Sequence, residues 1–341
     1  MKPTICDIAK KVGRSITTVS RALYDYDDVS PKTKELVRQT AKEMGYVANK
    51  QAQLLRKQYT ETIGFILPTF GPRFSDPFFS EFLAGIGNAA GENEYDLLVS
   101  TSPPGEFEME TYEKFVQSHR VDGFIIVRTR INDERILYLD SINFPFVAFG
   151  RVPGLEHIHY IDENSEYGMR LIVDHLVKLG HRKLACIAPS FNLTFANHRM
   201  KGLKEGLLSH GIEIDPDCIL TGDLTEKGGY ERTRELINRP HRPTAIVACN
   251  DLMAIGAIRA IQDHGLTVGR DISVTGFDDI PLSEYLQPSL TTVSQPIYQI
   301  GRMACEMLIK LINKKEIGKC QILLEPTLIV RHSTGIAIVE K

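Results

Sequence analysis

The chain has 341 residues, 43% hydrophobic and 24% charged, which suits two or three domains and leaves ample apolar surface for real cores. No run approaches the ~20 consecutive apolar residues that span a bilayer, and Met1–Lys11 carries no apolar signal core. The six cysteines are scattered without a CxxC pair, so a reduced cytoplasmic chain without disulfide framework, metal or cofactor is expected. The net charge of −3 argues against a nucleic-acid partner only until it is split: residues 1–60 hold 12 Lys/Arg against 6 Asp/Glu, residues 61–341 hold 28 against 37. A basic head on an acidic body points to nucleic acid at the head.

The head reads as three helices. Ile5, Ile8, Ala9 and Val12 recur at helical spacing behind Thr4, a good N-cap, and Gly13 ends the run. Ser15 caps a second helix, Ile16 to Leu23. Ser30 caps a third from Pro31 to about Met44, and Gly45 stops it. Two short helices joined by a tight glycine-containing turn form a helix-turn-helix, whose second helix reads bases in the major groove.

The spacing of these elements, with Val29-Ser30 and Gly45-Tyr46-Val47-Ala48-Asn49, resembles the head of the LacI/GalR (lactose-repressor/galactose-repressor) family, and the match runs to the C-terminus. The resemblance implies a DNA-binding transcription regulator, not an enzyme, usually a repressor, controlled by a small ligand and most often a sugar. By position, Ile16, Thr17 and Arg21 match base-reading residues. Arg21 can bond bidentately to guanine, and Ile16 can press on a thymine methyl. Ser15, Thr18, Ser20 and Asn49 match phosphate contacts, which position the head, and Thr4 is a further expected DNA-binding residue. The plainer readings are packing for Ile16 and a surface ion pair for Arg21. Arg14 stands where the family usually has an apolar residue, and either touches phosphate or is solvated.

Residues 50–57 resemble the family's hinge helix. Ala52 and Leu55, three apart, share a face. The resemblance makes Leu55 a wedge in the minor groove. Eight residues are too few for a stable isolated helix, so folding on contact with DNA and a partner hinge is expected.

From Thr62 short apolar runs alternate with helical stretches: Ile63–Leu67, Leu97–Val99, Phe124–Val127 and Phe146–Phe149. After about Asp162 the alternation restarts with Leu184–Ile187, Ile219-Leu220, Ala245–Ala248 and Ile272–Val274. Such strands signal buried parallel sheets. The expected fold is a helical head plus an α/β body of two doubly wound parallel-sheet subdomains, like a periplasmic binding protein. The expected division is head 1–48, hinge 49–60 and body 61–341. The resemblance places crossovers near 162, 291 and 325, giving an N-subdomain of about 61–162 and 292–324 and a C-subdomain of about 163–291 and 325–341.

Ligands of open α/β sheets bind beyond the carboxyl ends of strands. Those ends include Thr69-Phe70, Arg128-Thr129, Gly150-Arg151, Asp223-Leu224, Asn250-Asp251 and Asp278-Asp279, with Asp76-Pro77-Phe78-Phe79 opening a helix toward them. Family ligand positions fall on Phe70, Phe78, Phe79, Arg151, Arg199, Leu224, Asn250 and Asp278. Charged groups on hydroxyls with aromatic faces suit a sugar. The plainer readings are core packing for Phe79, an interdomain ion pair for Arg199 and a cap or turn for Asp278. Leu224 replaces an aromatic, and Arg151 places a positive charge where another member has a carboxylate, so lactose or a purine is not expected. Thr194–Arg199 and Gly222–Thr225 look most like regulators of α-glucoside operons.

Gly85-Ile86-Gly87-Asn88-Ala89-Ala90-Gly91 imitates a dinucleotide loop but lies mid-helix. His157 and His159 lack a third metal ligand, and no nucleophile elbow is present. The body alone would also suit a solute-binding receptor. The expected partners are near-palindromic double-stranded operator DNA, a small sugar-like effector and a second copy of the chain. The helix near Asp76 and the one around 297–312 are the expected dimer contacts. No leucine heptads follow Leu328–Arg331, so a dimer is expected, not a tetramer, in the cytoplasm at the nucleoid.

Overall fold

The computed structural model describes residues 3–46, 59–69 and 76–338. The chain divides into two compact units, Met1–Thr60 and Glu61–Lys341. The first is built from α1 (Ile5–Val12), α2 (Ile16–Leu23) and α3 (Pro31–Glu43). Each start is chemically fixed. The Asp7 carboxylate accepts from the Thr4 N–H at 2.9 Å and the Thr4 hydroxyl at 2.7 Å. Ser15 Oγ accepts from the Thr18 N–H at 3.1 Å, and Ser30 Oγ from the Thr33 N–H at 3.3 Å. Gly13 closes α1 with φ +63°, a conformation that favours glycine. Ile8, Val19, Ala22 and Val37 are fully buried and form the small core.

The second unit contains two six-stranded sheets. The first runs β11-β5-β4-β3-β1-β2, using β1 (Thr62–Pro68), β2 (Asp96–Ser102), β3 (Gly123–Ile126), β4 (Phe146–Phe149), β5 (Tyr160–Glu163) and β11 (Gln321–Leu324), all parallel. The second runs β12-β10-β9-β8-β6-β7, using β6 (Leu184–Ala188), β7 (Ile219–Thr221), β8 (Ala245–Ala248), β9 (Ser273–Asp278), β10 (Thr291–Ser294) and β12 (Thr327–Ile329); only the β10–β12 pair is antiparallel. Helices cover both faces of a parallel sheet, so its central strands are apolar throughout: every residue of β6 and β8 is buried.

Around the first sheet lie α4 (Pro77–Glu92), α5 (Glu106–Gln117), α6 (Glu134–Ser141) and α12 (Ile297–Ile312). Around the second lie α7 (Ser165–Lys178), α8 (Thr194–Ser209), α9 (Glu226–Ile237), α10 (Asp251–Asp263) and the short α11 (Leu282–Tyr285). The chain passes between the lobes three times: after Glu163, at Gln295-Pro296 and at Glu325-Pro326. The second passage falls later than the expected 291, because Thr291–Ser294 pairs with β9 in the second sheet.

The passage at Gln295 returns α12 to the first lobe, where it packs on α4. A Cβ on Gly85 would collide with the Tyr298 carbonyl, and one on Gly301 with the Phe82 carbonyl. The glycines that imitate a dinucleotide loop are therefore explained in part by close helix contact: Gly85 faces α12, while nothing lies near Gly87 or Gly91.

Candidate functional site

Two regions gather the residues singled out by the sequence. On the head, α2 exposes its amino-terminal face. Ile16 is 51% exposed, although Val19, three residues on in the same helix, is fully buried. It does not serve as a core residue, which removes the packing reading. Thr17 is exposed, and Ser20 and Arg21 are half-buried one turn further on. Arg21 pairs with Asp28 at 2.7 Å and lies over the Tyr26 ring at 5.3 Å. The ion-pair reading of Arg21 is thus present in the isolated chain. Thr4 is exposed and engaged with Asp7. Ser15 and Thr18 hydroxyls lie 2.8 Å apart, locked in the helix cap. Asn49, Ala52 and Leu55 lie outside the described residues.

The second region is a partly open cavity between the two lobes of the body. Phe78, Phe79, Arg199, Leu224, Asn250 and Asp278 all line it. Phe70 lies outside the described residues. Arg151 is not among the lining residues: its Nε bonds Asp162 at 2.7 Å, and Asp162 is the group that reaches the cavity.

The first lobe contributes an aromatic wall and an ion pair. Asp76 caps α4 by accepting from the Phe78 N–H at 3.2 Å, and its other oxygen takes Arg128 Nη2 at 3.1 Å. Burial pushes Asp76 above the usual carboxylate range and Arg128 below its own. Phe78 stacks on Phe149 at 5.8 Å, with the rings only 9° from parallel. Phe79 is 1% exposed and packs on Phe65, so it is a core residue that also reaches the cavity.

The second lobe contributes Arg199, 4% exposed on α8. Its guanidinium lies 3.7 Å from the Phe277 ring centre and 4.8 Å from that of Phe195. It donates to the Cys249 carbonyl, and Nη2 faces Glu163 Oε1 at 3.5 Å and Asp278 Oδ1 at 3.4 Å. Gln295 donates to the same Asp278 oxygen at 2.7 Å. Burial raises the Asp278 carboxyl well above its usual range despite Arg199 beside it. Burial and the neighbouring Glu163 do the same to Asp162. Since Glu163 belongs to the first sheet, Arg199 spans the lobes, so the interdomain ion-pair reading holds beside the ligand reading.

Asn250 is the N-cap of α10, accepting from the Met253 N–H at 3.1 Å and donating to the Leu224 carbonyl at 3.1 Å. It therefore shapes the Leu224 turn, where φ is +67°. Its neighbour Asp251 turns inward instead: fully buried, it accepts from Ile280 N–H, Ser283 Oγ and Thr292 Oγ1 at 2.9, 2.6 and 2.5 Å. Asp251 is thus structural.

Glu163 and Gln295 were missed by the sequence reading. Both end strands, β5 and β10, whose polar composition (Tyr-Ile-Asp-Glu and Thr-Thr-Val-Ser) hid them. The strand-end rule finds both once these segments are read as strands. Phe149 and Phe195 supply aromatic faces that Leu224 does not.

Among the described residues no group of His, Cys, Asp and Glu is arranged to hold a metal ion, and His157 instead meets Asp140 at 3.0 Å. No helix among them is long and apolar enough to cross a membrane.

Residues 4–49 match the description "bacterial regulatory proteins, lacI family", and residues 173–334 match a periplasmic binding protein-like domain. The transcriptional regulator CelR of Thermobifida fusca is 31% identical over 335 residues, 97% of this chain and 98% of that protein. The chain belongs to the LacI family of bacterial transcription regulators. The HTH-type transcriptional regulator AglR of Rhizobium meliloti is 33% identical over 342 residues, 99% of this chain and 96% of its own.

Among solved structures, the Lac repressor dimer bound to operator and the anti-inducer ONPF superposes with TM-score 0.84 at 30% identity, covering 98% of this chain and 99% of that one. A CelR–cellobiose complex gives 0.76 at 30% identity, covering 97% and 99%. A LacI-family chain with this head is a DNA-binding transcription regulator. That removes the alternative of a solute-binding receptor with no role on DNA.

Proposed function

We propose that this LacI-family chain represses a carbohydrate-use operon, acting as a cytoplasmic, nucleoid-associated homodimer on a near-palindromic operator. A sugar-like effector, an α-glucoside in the first instance, enters the cavity between the lobes and changes operator affinity. The observation that carries the reading is one cavity lined by the stacked rings of Phe78 and Phe149 and by a hydrogen-bonding cluster of Arg199, Asp278 and Gln295. Aromatic faces suit the apolar side of a pyranose, and charge-assisted hydrogen bonds orient its hydroxyls. The relatives support a sugar: the CelR structure is a cellobiose complex.

On the head, Ile16, Thr17 and Arg21 read bases, and Thr4, Ser15, Thr18, Ser20 and Asn49 hold phosphates. Arg21 must leave Asp28 to do so. A surface ion pair is worth about 0–1 kcal/mol, while a bidentate guanine contact is worth about 1–3 kcal/mol, so the exchange favours DNA. Ala52 and Leu55 in the hinge contact the minor groove. Effector moves operator affinity by binding two arrangements of the lobes unequally.

A gel-shift assay with the upstream region of the chain's own operon tests the reading. Specific binding that weakens steeply with salt, and that responds to a sugar, is expected. Arg199→Ala should keep the shift and lose the response. Absence of any specific shift by the intact protein, with or without sugars, refutes it.

A further inference from the structure

We propose that the cavity takes an uncharged polyhydroxylated effector and rejects its phosphorylated form. This rests on the sugar reading above and narrows it to a charge class.

The argument is a count of charge and of open hydrogen-bonding positions. Four carboxyls line the cavity: Asp76, Asp162, Glu163 and Asp278. Three guanidiniums stand against them, and each is already engaged. Arg128 pairs with Asp76 at 3.1 Å, Arg151 with Asp162 at 2.7 Å, and Arg199 faces Glu163 and Asp278 at 3.5 and 3.4 Å. Among the described residues no cation of the cluster is left over for an anion, and one carboxyl is in excess. Burial already raises Asp76, Asp162 and Asp278, so the site resists the negative charge it holds.

A phosphate group carries about −1.5 to −2 charge at neutral pH. Here it would be stripped of water beside carboxyls, with no unpaired guanidinium among the described residues to receive it, and a buried charge without a partner is strongly disfavoured. The polar atoms that do remain open are of another kind. On the lining, Arg199 Nε is a buried donor and Gln295 Oε1 a buried acceptor, neither with a partner; Arg151 Nη2, off the lining, is a further buried donor without one. Sugar hydroxyls donate and accept at once, so they can satisfy both lining atoms, whereas a phosphate only accepts.

Thermal shift followed by calorimetric titration of the full-length protein tests this. The probes are the neutral glucosides cellobiose, maltose, sucrose and trehalose, each beside its 6-phosphate. The expected result is that one neutral glucoside stabilises the protein and its 6-phosphate binds at least ~100-fold more weakly, about the factor that an unpaired buried charge implies. A 6-phosphate that binds as well as or better than its parent overturns the proposal and leaves the sugar reading standing. Binding by neither form of any sugar overturns both. Glu163→Gln removes the excess charge, so the neutral-to-phosphate ratio of the bound sugar should narrow by about tenfold. An unchanged ratio in a folded variant also counts against the proposal.

Discussion

Thr129 Oγ1 lies 2.5 Å from Thr194 Oγ1, joining the first lobe to the second without a covalent passage. The Thr194 N–H donates to the Thr129 carbonyl at 2.9 Å, and the Ile131 N–H donates to the Asn192 carbonyl at 2.9 Å. The loop that offers this edge is clamped from behind. Fully buried Arg135 bonds Asp133, Glu108 and the Arg128 carbonyl, and Arg130 bonds the second Glu108 oxygen.

Thr129→Val keeps the shape and strands the buried Thr194 hydroxyl. An unsatisfied hydroxyl costs about 1–3 kcal/mol, so the melting temperature of the body should fall and sugar affinity should weaken. Thr129→Ser should restore both. Scanning calorimetry with and without effector checks this; a valine variant that melts and binds like the wild type would show that the link contributes nothing.

Arg21→Lys retains a charge and loses the planar fork. Affinity for the operator should drop by about 1–3 kcal/mol, with little change on unrelated DNA. Competition binding on the two DNAs measures it. An equal loss on both would make Arg21 a phosphate contact.

The α4–α12 crossing makes opposite predictions for two glycines on one helix. Gly85→Ala pushes a methyl into the Tyr298 carbonyl and should destabilise the body by about 1–3 kcal/mol, as overpacking does. Gly87→Ala meets open space and should stabilise it by about 0.5–1 kcal/mol through helix propensity. Urea denaturation of both variants decides the matter, and equal effects would remove the packing explanation.

Acid should weaken the body through its buried histidines. His181 has Nε2 at 3.0 Å from the Gly335 carbonyl and Nδ1 at 2.9 Å from Thr244 Oγ1, and burial lowers its pKa below the ordinary 6.5. Burial lowers His175 and His198 in the same direction. As pH falls below 6.5 the unfolded chain takes up protons before the folded one, so stability drops until the folded pKa is reached, and is fully present above 6.5. His181→Gln keeps a donor toward Gly335 and removes one titration. Chemical denaturation between neutral and mildly acidic pH should show a shallower decline for the variant, and parallel curves would discount His181.

Much of this was legible in the sequence, for identifiable reasons. Caps at Thr4, Ser15 and Ser30 and the stop at Gly13 are local chemistry, so the head helices follow from residue order alone. The apolar runs at Ile63–Leu67 and Leu184–Ile187 mark central strands because both faces are covered. Asp278 ends a strand and Phe78 opens a helix, so position alone points to them; Arg199, inside α8, was found through the family resemblance. Arg128 was read as a strand end facing the cleft, but Glu163 and Gln295 were not, because they become cavity groups only when a second lobe supplies Arg199 and Asp278. Pairing such as Arg151 with Asp162 is likewise invisible until two strand ends are side by side.

Glu163 and Gln295 occupy two of the three places where the chain passes between lobes, and both line the cavity. An effector seated in this cavity, as proposed, would therefore touch the chain passages about which one lobe would turn against the other. A lever acted on at its fulcrum converts a shift of a fraction of an ångström into a far larger excursion at its tips. On the proposed reading, signal and hinge would be the same residues, with no relay needed between them.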